Sequence, residues 1–310
     1  MEFIDIKKDN YRDIKISGNV EKPDSMGITP LMKAAYYNSP KVAQKLINKG
    51  AGVNARDYHG RTPLYWTALS NTMNSADFLK ERFGEKKGDC IKMWSLSCSD
   101  IPDITYKILK DRKKYDDPSG YGVSREKIFK IMDLLLSAGA DINLETHFNT
   151  TVAYEWVKSG FEEGVRYVFK NGYSPSERES YKLLYCVKDR ELFELLIEKG
   201  IDPDARDRSE SSADLGETAL HDAAASGDTK KINWLLDAGA GIDKPAYWKY
   251  RPTFYAVGGG ENKALELLLK RGADIKAKDR FGRTVYKLAK ETDNGEARLI
   301  IKEEKKNVRS

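Results

Sequence analysis

Apolar residues recur at intervals of three and four along several short segments of the chain, and each of these segments ends in glycine. The clearest examples are KVAQKLINKG at 41–50, KKINWLLDAG at 230–239 and KALELLLKRG at 263–272. This spacing gives an α-helix one apolar face, and a glycine after the last turn suits the left-handed backbone that closes a helix. The pattern therefore predicts short amphipathic helices, each stopped by its glycine.

A second kind of segment precedes these helices and carries a helix-start signal. Thr29, Thr62, Thr218 and Thr284 stand where a side-chain hydroxyl can cap the first turn of a helix. A proline follows the first two, at the position where a missing N–H costs nothing. An alanine pair in the first and third segments keeps the helix thin, so a second helix can pack closely against it. The chain thus predicts pairs of helices.

The pairs recur with a fixed period. Gly27 and Gly60, each two residues before a capping threonine, are 33 residues apart, and Gly216 and Gly282 are 66 apart. A glycine-centred marker follows the amphipathic helices six times, as NKGAGVN at 48–54, SAGADIN at 137–143, KNGYSPS at 170–176, EKGIDPD at 198–204, DAGAGID at 237–243 and KRGADIK at 270–276. The period and the Thr-Pro-Leu start resemble the ankyrin repeat.

That resemblance implies an all-α, ankyrin-type solenoid of about eight helix-turn-helix repeats with projecting hairpin loops. The repeats would occupy residues 26–303. Residues 1–25 match no repeat and are expected to form an N-terminal arm or cap, and residues 304–310 a C-terminal tail.

The spacing also locates irregularities. Gly60 and Asn149 are 89 residues apart, which we interpret as two repeats plus an insertion. Charges, Pro118 and two glycines break the helical pattern near 110–124, so we place the insertion there and expect it to be the most mobile internal segment. The third and fifth repeats depart most from the family pattern.

Composition argues for a globular chain without membrane insertion. The 310 residues include 53 basic and 48 acidic side chains, and no apolar run approaches the length needed to span a bilayer. We expect a soluble, monomeric protein in the cytoplasm, or a secreted or periplasmic one if a signal peptide has been removed. Three cysteines at positions 90, 98 and 186 show no paired metal-binding spacing, which favours reduced thiols.

No catalytic pair, metal-binding cluster or cofactor motif is visible. His221 lies in TALHDAA, where the resemblance implies a structural histidine that bonds within and between repeats. One alternative is an enzyme whose site is shared between residues 84–124 and the repeats. Another is a nucleic-acid-binding protein, which the nearly balanced charge disfavours because binding to phosphates needs an excess of basic residues.

Aromatic and basic residues at the expected hairpin tips and first helices suggest a protein-binding surface. The resemblance implies that these positions line a concave face that contacts a protein partner, whose identity the sequence does not reveal. Tyrosine, tryptophan and arginine are the residue types enriched in interface hot spots. The predicted partner-binding residues are Tyr36, Tyr37, Tyr58, His59, Arg61, His147, Phe148, Tyr247, Trp248, Tyr250, Phe281 and Arg283. The leading hypothesis is a non-enzymatic protein–protein interaction module.

Overall fold

A computed structural model describes residues 20–74, 125–207 and 216–307, and these residues fall into two compact units. Unit 1 ends at Ser159 and unit 2 begins at Gly160. The helices of unit 1 are α1 (Pro30–Tyr36), α2 (Pro40–Ile47), α3 (Pro63–Asn74), α4 (Arg125–Ser137) and α5 (Val152–Ser159).

Unit 2 continues the alternation of short helices. Its members are α6 (Glu162–Lys170), α7 (Glu177–Cys186), α8 (Arg190–Glu198), α9 (Ala219–Ala225), α10 (Thr229–Asp237), α11 (Pro252–Gly259), α12 (Asn262–Lys270), α13 (Val285–Glu291) and α14 (Gly295–Asn307). Within the described ranges, extended pairing is limited to two isolated bridges, Arg206 with Thr218 and Lys278 with Thr284.

The helices begin where the threonines predict. The hydroxyl of Thr29 accepts a hydrogen bond from the Met32 backbone N–H at 3.3 Å, and Thr62 and Thr284 make the equivalent bond at 3.3 and 3.4 Å. Thr218 uses a variant, in which its own N–H donates to Nδ1 of His221 at 3.0 Å. Each bond satisfies a donor that the first turn leaves without a helical partner.

The helices end where the glycine markers predict. The glycine of each of the six markers has a φ between 84° and 96°, a left-handed conformation in which a side chain would be strained. After Gly50, Gly139, Gly239 and Gly272 the chain runs through a hairpin to the next first helix, whereas after Gly172 it leads straight to α7, which Ser176 caps.

Within each unit the helices form two layers. The first helices pack on one another, α1 on α3 and α3 on α5 in unit 1, and α9 on α11 and α11 on α13 in unit 2. The second helices form the other layer, with α2 on α4, and α10 on α12 and α14 beyond it. Apolar side chains between the layers, such as Leu31, Leu46, Leu235 and Leu265, are fully buried.

The interpretation of the 89-residue spacing as two repeats is wrong. The hairpin that precedes α3 lies directly beside the hairpin that precedes α5, because Asn54 Nδ2 donates to the Gly139 carbonyl at 3.0 Å and Asn54 Oδ1 accepts from Asp141 N–H at 2.9 Å. The backbone N–H of His147 also donates to the His59 carbonyl at 3.0 Å. These bonds leave no space for a repeat between the two hairpins.

The chain between α3 and α4 therefore interrupts a single repeat. Helix α4 packs against α3 and α2, so it is the second helix of the repeat that α3 begins. The predicted insertion at 110–124 and its expected mobility lie outside the described residues, as does the region proposed for an enzymatic site, 84–124.

The predicted boundary of the N-terminal arm at residue 25 falls inside the first hairpin. Asp24 Oδ1 accepts hydrogen bonds from the Met26 and Ile28 N–H groups, both at 3.0 Å, and its other oxygen pairs with Lys33 at 2.8 Å. The first repeat thus starts before residue 25.

Crosslinking tests the position of the insertion. In a chain whose three cysteines are changed to serine, Asn54→Cys with Asp141→Cys should crosslink in high yield with a short bismaleimide, because the two residues are hydrogen-bonded neighbours. Mass spectrometry of the joined peptides gives the readout, and the Asn54→Cys single variant is the control. A repeat lying between the hairpins would hold the two positions too far apart to join.

Candidate functional site

Five described hairpin tips share one backbone geometry. In each, a first residue donates its N–H to the carbonyl four positions later, and its own carbonyl accepts from the N–H three positions later. The first residues are Asp24, Asp57, Thr146, Ala246 and Asp279. The second and third residues of every tip are therefore held at the outer end of the loop.

A carboxylate fixes three of these tips. Asp57 Oδ1 accepts from the N–H groups of His59 and Arg61, both at 2.9 Å, and Asp279 Oδ1 does the same for Phe281 and Arg283 at 2.8 and 2.9 Å. Asp24 repeats this arrangement in the first tip. Such side-chain-to-backbone bonds make a turn without help from a regular sheet.

Neighbouring tips are joined by a backbone bond. Tyr58 N–H donates to the Met26 carbonyl at 3.2 Å in unit 1, and Arg280 N–H donates to the Trp248 carbonyl at 2.7 Å in unit 2. Together with the bond between His147 and His59, these contacts align the tips of each unit in a row.

The whole arrangement identifies the architecture, and a comparison of sequences agrees with it. The family model for ankyrin repeats in three copies matches residues 11–89 and 183–279, more than half of the chain. The chain belongs to the ankyrin repeat family. The all-α, ankyrin-type fold predicted from the sequence is confirmed, and the match includes residues 11–25, which the sequence analysis left outside the repeats.

A curated relative extends the likeness. The E3 ubiquitin-protein ligase KEG of Arabidopsis thaliana is 26% identical to this chain over 291 residues. The aligned region covers 87% of the chain and 16% of the relative, so the chain spans only a small part of that protein's length.

The ankyrin tips expose four large aromatic side chains. Tyr58 and Phe148 are 67% and 64% exposed in unit 1, and Trp248 and Phe281 are 52% and 63% exposed in unit 2. His147 is also exposed, whereas His59 is half-buried with its ring stacked on Phe148 at a centroid distance of 6.1 Å. All six positions are among the predicted partner-binding residues.

The structure places two other predicted residues in the interior. Arg61 is only 7% exposed, because its Nε donates to Asp57 Oδ2 at 2.6 Å and its guanidinium lies 4.7 Å from the centre of the Trp66 ring. Tyr36 is likewise 7% exposed and packs edge-on against Trp66. The expectation that both project toward a partner is corrected, since both brace the first two repeats.

The remaining predicted residues are half-buried. Arg283 bonds Asp279, Glu291 and the Tyr250 hydroxyl, and its guanidinium lies 5.0 Å from the centre of the Phe281 ring. Tyr37 and Tyr247 are also partly covered. Arg283 thus supports the exposed Phe281 ring, and all three side chains offer only part of their surface.

An acidic and aromatic cluster on the first-helix layer of unit 2 was missed by the sequence analysis. The Tyr181 hydroxyl donates to Asp222 Oδ2 at 2.8 Å, and the Tyr255 hydroxyl donates to Glu217 Oε1 at 2.5 Å. Tyr185 stacks on Tyr181 and is exposed. The four-residue spacing of the two tyrosines in α7 was the available signal, because it puts both on one helix face.

The electrostatics of this cluster follow from its burial and its carboxylates. Burial, and the carboxylates of Asp222 and Glu217, raise the pKa values of Tyr181 and Tyr255, so both phenols stay protonated hydrogen-bond donors. Burial lowers the pKa of His221 to about 4, so its ring is neutral at pH 7. Its Nδ1 accepts from Thr218, and its Nε2–H therefore donates to the Lys244 carbonyl at 3.0 Å. The structural role expected for His221 is confirmed.

Across 20–74, 125–207 and 216–307, no three histidine, cysteine or acidic side chains are grouped as metal ligands. No helix in those ranges has the length and apolar character needed to cross a bilayer.

Removing the Asp57 carboxylate should destabilise unit 1. Asp57→Ala leaves the buried Arg61 guanidinium without its counter-ion and removes the acceptor of the Trp66 indole N–H, so we expect a loss of about 3 to 5 kcal/mol in the free energy of unfolding. Urea unfolding measures it. Asp141→Ala, which removes a similar bond to Asn143 N–H at an exposed position, is the control and should cost less than about 1 kcal/mol. Equal losses would show that Arg61 does not depend on Asp57.

Asp222 gives a pH-dependent prediction. Burial raises the pKa of this carboxyl to about 6, with Glu217 and Asp207 adding repulsion, while Tyr181 and Lys231 oppose the shift. A raised folded-state pKa means that stability is complete below the unfolded value of about 3.8 and is lost as the pH rises through about 6.

The neutral variant Asp222→Asn should therefore stabilise the protein at pH 7.5, by about 1 to 3 kcal/mol. The gain should shrink steadily as the pH falls toward 4. Urea unfolding of the wild type and the variant at pH 7.5, 5.5 and 4 measures this gain. The contribution of His221 cancels in the comparison, because both proteins contain it. Asp202→Asn at an exposed position is the control, and a gain independent of pH would contradict the assignment.

Proposed function

We propose that this chain is a non-enzymatic module that binds a protein partner through its hairpin tips and the adjoining first helices. The observation that carries the proposal is the exposure of Tyr58, Phe148, Trp248 and Phe281 on tips whose backbones are fixed by hydrogen bonds. An aromatic ring at a loop tip gains little from folding, but it gains much when a partner covers it.

Rigidity supports the proposal. Each exposed ring sits on a tip closed by two backbone bonds, and the tips of one unit are bonded to one another. A surface ordered before binding loses little conformational entropy in the complex, so more of the contact energy appears as affinity.

Within this proposal the predicted residues take different roles according to their burial. Tyr58, His147, Phe148, Trp248 and Phe281 would contact the partner directly. Tyr37, His59, Tyr247, Tyr250 and Arg283 would contribute the part of their surface that remains exposed. Tyr36 and Arg61 would act only by positioning their neighbours.

Family membership supports the general class of function. Ankyrin repeats are generally protein-interaction modules without enzymatic activity of their own. The relative from Arabidopsis is named as an E3 ubiquitin-protein ligase, but the alignment covers only 16% of it, so ligase activity is not carried over to this chain.

Alanine substitutions at the tips test the proposal. A partner captured from the native lysate and mapped by crosslinking provides the ligand. We expect at least one alanine variant to weaken partner binding by about 1 to 3 kcal/mol with little change in melting temperature. The variants are Tyr58→Ala, Phe148→Ala, Trp248→Ala and Phe281→Ala. Calorimetry measures the affinity. The variants in unit 1 and those in unit 2 show separately whether the tips of each unit contact the partner.

The control must lie away from the tips and carry no structural bond. Lys231 does not qualify, because its Nζ donates to the Tyr185 carbonyl at 2.7 Å. Lys263 on α12 is exposed, so Lys263→Glu should leave both affinity and stability nearly unchanged. If the tip variants lower the melting temperature and spare the affinity, the aromatics brace the hairpins and the proposed surface is wrong.

A further inference from the structure

Two neighbouring tips of unit 2 carry an excess of positive charge. The segments 247–251 and 278–283 contain five basic residues, Lys249, Arg251, Lys278, Arg280 and Arg283, and one acidic residue, Asp279. Asp279 is buried and already paired with Arg283 at 2.7 Å. We call these two segments the basic tips.

Three of the five cations point their charge into solvent. Lys249, Lys278 and Arg280 are exposed, and their side chains form no ion pair with any residue that the structure describes. By contrast, Arg251 donates to the Lys278 carbonyl at 3.0 Å and joins the two tips. The free charges therefore sit on a scaffold that other bonds hold together.

Exposed rings lie among these charges. Trp248 precedes Lys249, and Phe281 follows Arg280, with the backbone bond between Arg280 and Trp248 bringing the two tips together. The Trp248 ring rests against Tyr250 with centroids 5.8 Å apart. The basic tips thus combine apolar and cationic contact area.

The first of these tips also has a strained backbone. Trp248 and Lys249 have φ values of 54° and 62°, in the left-handed region that bulky residues avoid. The other four described tips have Gly27, Gly60, Asn149 or Gly282 at the position of Lys249. Alanine at 246 provides no carboxylate to shape the turn, unlike Asp57 and Asp279. Strain kept at a surface position, where a glycine would relieve it, points to a role for the side chains.

We propose that the basic tips bind an acidic segment of a protein partner that also carries an aromatic or aliphatic side chain. Its carboxylates would pair with Lys249, Lys278 and Arg280, and its apolar side chain would cover Trp248 and Phe281. This inference rests on the proposed function and adds the chemistry of the partner.

Charge distribution favours a peptide over a nucleic acid. Asp274 is exposed in the same hairpin as Lys278, and Asp222 and Glu217 lie on the first-helix layer of the same unit. A polyphosphate backbone leaving the tips would be repelled by these carboxylates, whereas an acidic peptide can confine its charge to a few residues.

Peptide display on the full chain tests this proposal. A random 16-residue library is selected on the wild-type protein, and enriched peptides are synthesised with a fluorescent label for polarisation assays. We expect enrichment of peptides with net negative charge and an aromatic or aliphatic residue. Either Lys249→Glu or Arg280→Glu should lower the affinity of these peptides about tenfold or more. In 0.5 M salt the same substitutions should have a smaller effect, because the salt screens the charges. Lys263→Glu is the matched control and should change little.

Each of the other outcomes refutes either this inference or the proposed function. Peptides that are neutral or basic but are lost with Trp248→Ala would refute the acidic partner and leave the proposed function standing. Peptides indifferent to every tip variant would refute the tip surface itself. Failure to enrich acidic sequences, or tighter binding of a 20-nucleotide single strand than of any selected peptide, would reject the inference.

The variant Lys249→Gly separates binding from folding. Glycine accepts the left-handed backbone without strain, so the melting temperature should rise, by about 2 °C or more. The same change removes a cation and should weaken the selected peptides severalfold. A variant that is more stable and binds equally well would show that Lys249 plays no part in recognition.

Discussion

The carboxylate at the start of a hairpin tip is the interaction on which this ankyrin array depends most. Asp57 accepts two backbone N–H groups of its own turn, the Arg61 guanidinium and the Trp66 indole N–H. One buried side chain therefore shapes the tip, neutralises an interior cation and ties the tip to α3. Because its own charge is buried, removing any partner leaves a polar group without compensation, which makes the local structure cooperative.

Tips that lack this carboxylate hold their backbone in other ways. Thr146 accepts from Phe148 N–H and pairs its hydroxyl with that of Thr150 at 2.8 Å, an uncharged version of the bond. The tip that starts at Ala246 has no such acceptor, and its backbone takes up two consecutive left-handed residues. The helices behind the tips start by separate signals, since Thr62 and Thr284 cap α3 and α13, and Pro252 occupies the first position of α11.

Sequence reading predicted the parts whose signals are local. Thr29, Thr62 and Thr284 cap helices because capping needs only a residue and its next turn, and the marker glycines close helices for the same reason. The direction of Arg61 could not be predicted, because it depends on Trp66 and Asp57 meeting in space. The prediction of two repeats between Gly60 and Asn149 was wrong for another reason. Spacing alone cannot separate an added repeat from a long insertion, and only the contacts of Asn54 with Gly139 and Asp141 decide between them. The sequence predicted the aromatic positions of the tips, but only the folded structure shows which of these rings are exposed.

The position of the inserted segment has a consequence for how such a chain can change over time. Helices α3 and α4 pack in their layers although fifty positions separate them along the chain. The entropy of closing a loop grows slowly with its length, by about 0.6 kcal/mol for each doubling. Additional residues between the two helices of one repeat therefore cost little, and the bonds between Asn54 and the next hairpin stay in place. Unit 1 can therefore carry new sequence inside a repeat while the hydrogen bonds between its neighbouring hairpins are kept.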